Sequence, residues 1–181
     1  MAVEIFAILW KWQLYQTAYW NYSRSNLFIY CGFLTVRLIF TLLIYYQVLH
    51  SKRIKKIIKH LSIPLLCFFI INYFFIQMPD RVNTYSIVLL HLTSIILAFM
   101  FFNQILKDKK IVQLSVQPMI WISLGIFIYH AGTLPYFIFL NYLNKEYVTL
   151  ALSLLNINQA LNIIMYSFFL IAFLCIPHHQ K

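Results

Sequence analysis

The sequence predicts an all-α fold, a polytopic transmembrane helix bundle, and three observations lead there. Hydrophobic residues make up 62% of the chain and charged residues 10%, against about 45–50% and about 25% in water-soluble domains. The apolar residues come in long runs instead of alternating with polar ones. Only 3 glycines are available to interrupt those runs. A soluble monomer of 181 residues has too little interior for so much apolar surface, which excludes a soluble enzyme. The 17 Phe and 13 Tyr exclude a disordered chain. A transmembrane barrel needs alternating segments and many turn residues, and the sequence has neither.

A bilayer core takes about 20 apolar residues per helix. Five stretches meet or approach that length: 27–49, 61–78, 84–106, 118–141 and 148–176. The first carries one charge, Arg37. The second is short but uncharged. The last is long enough to tilt. Together, residues 25–181 read as one transmembrane domain. Residues 1–24 stand apart, because Glu4, Lys11, Gln13 and Gln16 interrupt their apolar run. Trp10, Trp12, Trp20 and Tyr22 suit the headgroup belt. Two readings stay open for this stretch, a sixth N-terminal span or an interfacial helix. A cleavable signal is not expected: the start is not basic, Glu4 comes early, and no small-residue cleavage site follows.

The net charge of +10 suggests nucleic-acid binding at first sight, but the cations sit between apolar runs, where topology explains them. The stretch 50–60 holds Lys52, Arg53, Lys55, Lys56 and Lys59 and is expected to be a basic cytoplasmic loop. Lys107, Lys109, Lys110 and the terminal Lys181 fall on the same side, giving nine cations there. The opposite loops hold Arg81 and Lys145, with Lys11 and Arg24 as further candidates. Cations resist translocation, so the nine-cation side is expected to be cytoplasmic, with the C-terminus inside a bacterial inner membrane. Ile54, Ile57 and Ile58 give the basic stretch an apolar face, suited to anionic lipid or a cytoplasmic partner.

Polar side chains within a span are costly unless paired or wet, so each is informative. Arg37 is the only full charge inside the five spans. His91 and His130 lie in the third and fourth, Asn72 in the second. Asn158 and Asn162, with Gln159 alongside, form a polar stripe on the fifth. At about 1.5 Å per residue, Arg37, His130 and Asn158 fall about 15 Å from the outer helix ends, and His91 and Asn72 about 10 Å. All seven are therefore candidates for one polar slab, either helix-to-helix glue or a ligand pocket. Pro135 lacks the N–H that would bond the Ala131 carbonyl, so Gly132 and Pro135 mark a candidate hinge beside His130.

Catalytic sets are missing. The four acids, Glu4, Asp80, Asp108 and Glu146, all lie outside the five spans. There is no HExxH, P-loop or GxGxxG. Cys31, Cys67 and Cys175 form no CxxC pair, so no metal site and no disulfide framework is expected. No catalytic residue and no cofactor is assigned. Two histidines at different depths are a weak signal for a b-type haem.

One resemblance rests on particular residues. These are Asn26-Leu27-Phe28-Ile29-Tyr30, Asn83-Thr84-Tyr85-Ser86, the Pro118-x-x-Trp121-Ile122 helix start, the Tyr129-x-x-Gly132-Thr133 centre and the Asn-rich last span. In these the chain resembles an uncharacterised family of multi-pass inner-membrane proteins from Bacteroidota. The resemblance implies a seven-helix module, often encoded beside a two-component histidine kinase, with further chain before Glu4. It also implies an acid where this chain carries Arg37. The expected function is a non-enzymatic sensory or regulatory accessory with an intramembrane polar pocket, partnered by the bilayer and a cytoplasmic or membrane signalling protein, without nucleic acid. The alternatives are a transporter or transporter subunit, and less favourably the haem protein.

Overall fold

The structure is a computed structural model that describes Leu9 and residues 27–76, 82–107 and 117–175. The readings made for residues 1–24, including the sixth span, otherwise lie outside the described residues. Between residues 27 and 175 the described residues form five α-helices in order: α1 (Leu27–Val48), α2 (Lys52–Ile71), α3 (Thr84–Lys107), α4 (Pro118–Glu146) and α5 (Val148–Leu174). A π-helical turn, Asn72–Ile76, extends α2. No strand occurs among the described residues. All five helices are long and apolar enough to cross a membrane. Many large apolar side chains point outward, among them Phe75, Phe173 and Leu174 at 70% exposure or more. Such a surface is stable only against lipid, so the protein is an integral membrane protein whose helices contact the bilayer.

The basic stretch 50–60 corrects the expectation of a loop, because it is helical from Lys52. Ile54, Ile57, Ile58 and Leu61 follow helical spacing, and neither Gly nor Pro intervenes before Pro64. Ile58 is buried while Arg53, Lys56 and Lys59 are not. The cations therefore extend the second span by more than two turns instead of preceding it. Lys55 Nζ lies 5.4 Å from the centre of the Tyr46 ring.

Short connections make neighbouring helices antiparallel. Three residues, Leu49 to Ser51, join α1 to α2. The His50 backbone N–H donates to Gln104 Oε1 at 2.8 Å, and Gln104 Nε2 donates to His50 Nδ1 at 2.6 Å. That pair ties this turn to the end of α3. At the other end, Asn141 Nδ2 donates to Thr84 Oγ1 at 3.1 Å and ties the start of α3 to the last turns of α4. Tyr147 alone links α4 to α5, and these two helices make the broadest contact in the bundle.

Small residues set that contact. A Cβ on Gly125 would lie 3.0 Å from Phe168 Cβ and 3.1 Å from the Met165 carbonyl oxygen. Only glycine lets α4 and α5 approach this closely, as is usual where association in lipid depends on packing. Beside it lies the apolar core of Leu38, Leu42, Leu97, Phe101 and Ile126, on the side of the bundle that carries the α2 cations. One polar contact crosses this core: Tyr45 Oη donates to Ser123 Oγ at 3.2 Å. Tyr45→Phe should lower the detergent-unfolding free energy by about 1 kcal/mol, the usual worth of one such bond. Phe keeps the ring's edge contact with Phe101, so insertion should be unchanged.

Candidate intramembrane polar site

Most hydroxyls within the spans are satisfied locally. Thr35, Thr41, Thr93, Ser94, Ser153 and Ser167 each donate to the carbonyl four residues back, a habit of Ser and Thr in helices. The groups that bond across helices are few, and one set of them gathers near mid-span.

Arg37 on α1 is the centre. Its Nη2 donates to His130 Nε2 of α4 at 3.4 Å and to Met165 Sδ of α5 at 3.8 Å. Its guanidinium carbon lies 5.1 Å from the centre of the Tyr129 ring. Each of these contacts is with a neutral group. The one ion pair among the described residues is Lys145–Glu146, at the exposed end of α4, so Arg37 has no carboxylate partner there.

The histidines follow from donor and acceptor logic. Arginine can only donate, so His130 Nε2 accepts and the ring proton sits on Nδ1. Nδ1 is buried and has no hydrogen-bond partner. His91 on α3 packs edge-to-face on His130, with ring centres 4.4 Å apart. His91 Nδ1 donates to the Ile87 carbonyl at 2.8 Å, leaving Nε2 to accept from Thr133 Oγ1 at 3.0 Å. Thr133 Oγ1 is also 2.7 Å from the Tyr129 carbonyl. One hydroxyl proton therefore serves two acceptors. Both histidines and Thr133 are 2% exposed or less, whereas Arg37 is half-buried.

Thr133→Val should leave His91 Nε2 buried without a donor. Such an orphan costs about 1–3 kcal/mol. Thermal unfolding in detergent should show that loss, and Thr133→Ser should recover most of it.

Four helices thus supply one cluster: Arg37, His91, the Tyr129–His130–Thr133 turn and Met165. Of the seven residues read from sequence, Arg37, His91 and His130 are in contact. Asn72 stands apart, with its Nδ2 donating to Ser86 Oγ at 2.8 Å, nearer the start of α3. Asn158 sits on the far side of Thr133. Gln159 is exposed and Asn162 half-buried. Tyr129 and Met165 were not read as site residues. An aromatic ring or a thioether in an apolar run looks no different from a lipid-facing neighbour.

A half-enclosed cleft of about 450 Å³ lies between α4 and α5, against the cluster. Gly132, Thr133, Pro135 and Tyr136 form one wall, and Leu150, Leu154, Ile157 and Asn158 the other. Pro135 falls inside α4, which continues to Glu146. A Cβ on Gly132 would lie 2.8 Å from the tip of Leu161, so α4 and α5 are close again at the cleft's inner end. Asn158 Oδ1 is buried without a partner. Thr133 is shared, since it lines the cleft and bonds His91.

The geometry does not suit a haem. Axial imidazoles would face each other across the macrocycle, and rings in edge contact at 4.4 Å leave no room for one. Among the described residues no three His, Cys, Asp or Glu side chains are grouped to hold a metal. In comparisons with known proteins, the chain matches no family model, no curated protein and no solved structure.

Proposed function

We propose that the protein is a non-enzymatic sensory or regulatory accessory of a bacterial inner membrane, with its C-terminus in the cytoplasm. The kinship with the multi-pass family often encoded beside histidine kinases belongs to this reading. The observation that carries it is the Arg37–His130–His91 cluster, held by four spans beside an open cleft. A ligand or charge change there acts on four helices at once. Gly132 lies within the cluster's turn of α4 and Pro135 just beyond it, where a missing backbone bond lets the helix segments shift. The cations of α2 face solvent at the other end of the bundle and offer a surface for a signalling partner.

A transporter needs a polar path to both faces. Here Leu38, Leu42, Leu97, Phe101 and Ile126 close the bundle on the side of the α2 cations, which favours a receiver over a conduit. The cluster also offers a cation and two bases but, among the described residues, no carboxylate to complete acid–base turnover.

The test uses the source cell. The chromosomal copy is replaced by His130→Leu or Asn158→Leu, and transcript profiles are compared with those of the parent and the deletion strain. Both variants should insert normally and reproduce the deletion profile. Profiles identical to the parent's would remove the regulatory reading.

A further inference from the structure

The unmet needs of this cluster specify a ligand class. Arg37 carries a full charge amid neutral contacts in mid-span. A centrally placed arginine is disfavoured by about 2.5–3.5 kcal/mol on insertion scales, and nothing among the described residues neutralises it. His130 Nδ1–H is a second buried donor without an acceptor. The charged donor calls for an anion, while His130 Nδ1–H lies on the ring edge opposite the one that Arg37 bonds. The adjoining cleft asks for something different. Its walls are mostly hydrocarbon and aromatic, it is bounded by two spans, and its volume is within the range of small-molecule sites. Thr133 stands between the two, lining the cleft and bonding His91, which packs on His130.

We propose that Arg37 seats the acidic head of an amphiphile whose acyl chain occupies the Gly132–Asn158 cleft. The head accepts from guanidinium N–H groups that do not face His130 or Met165, and the chain reaches the cleft from the bilayer between α4 and α5. A free single-chain acid and an acidic phospholipid share this chemistry. This deepens the proposed function and rests on the cluster being the receiving site.

The test is binding of radiolabelled palmitate to the full chain in nanodiscs, with hexadecanol as the uncharged probe of equal chain length. Palmitate should bind about tenfold or more tightly than hexadecanol, the usual worth of a charge-assisted hydrogen bond. Arg37→Gln should erase that preference, and Arg37→Lys should keep part of it. Leu154→Trp, which fills the cleft without touching Arg37, should weaken both probes while helicity by circular dichroism stays unchanged. Displacement of palmitate by phosphatidylglycerol assigns the head to a bilayer lipid. Resistance to displacement assigns it to a free acid. Either result keeps the anion seat. Equal binding of palmitate and hexadecanol, or an Arg37→Gln protein that binds like the parent, overturns the proposal. If binding fails while His130→Leu still reproduces the deletion profile, only the ligand class is lost. If binding holds while that variant behaves like the parent in the cell, only the regulatory role is lost.

Discussion

An Arg37→Met, His130→Leu double variant should be more stable than the parent and inert in the cell. Removing the guanidinium relieves the penalty of a mid-span cation, about 2.5–3.5 kcal/mol on insertion scales. Removing its acceptor together with it sacrifices one hydrogen bond, about 1 kcal/mol, and leaves no orphan, because both partners become apolar. His130 Nδ1, already unpartnered, disappears as well. The net expectation is a gain in unfolding stability, smaller than the insertion penalty because the helices stay in the micelle on unfolding. Arg37→Met alone should be close to neutral, since it strands His130 Nε2. A cluster kept for its fold would show the opposite order, with the double variant the least stable. A gain in stability together with lost function is the pattern expected where a binding site is built at the expense of the scaffold. Unfolding titrations in mixed micelles, read by tryptophan fluorescence, separate these cases.

The second large effect is expected at Gly125. Its missing side chain lets α4 lie against the Met165–Phe168 turn of α5, with backbone among the nearest atoms. Gly125→Ala forces contacts of 3.0 Å and 3.1 Å to relax and should cost about 1–2 kcal/mol. Gly125→Leu has no space and should cost about 3 kcal/mol or more, within the upper range for overpacking. It should also push Met165 away from Arg37, coupling loss of packing to loss of the cluster. Gly132→Ala is the informative control. The atom in its way is the tip of Leu161, which turns aside at little cost, so stability should fall by less than about 1 kcal/mol. Equal losses at the two glycines would contradict this account of the helix contact.

These expectations differ in how far the sequence foretold them. Five spans were legible because uninterrupted apolar runs have few structural outcomes. The ends of α1, α3 and α5 fall close to where composition changes. The start of α2 was not legible. Five cations in eight residues read as a loop when hydropathy is the guide, although Ile54, Ile57 and Ile58 already carried helical spacing. The depth estimate placed Arg37, His91 and His130 near one another, and they are in contact. Depth is one coordinate, however, and rotation about each helix axis decides the rest. That is why Asn72, assigned to the same slab, bonds Ser86 instead. It is also why Tyr129 and Met165 were not assigned to the site, since their contribution lies in where they point and not in what they are.

The most direct test of the central claim places nitroxide labels at positions 37 and 130 of the chain in lipid bilayers and records continuous-wave EPR spectra. The account predicts strong dipolar broadening between the two labels, together with greater accessibility to oxygen than to a water-soluble nickel chelate. Narrow spectra equal to the sum of the single labels, or free access of the chelate to both, would contradict it.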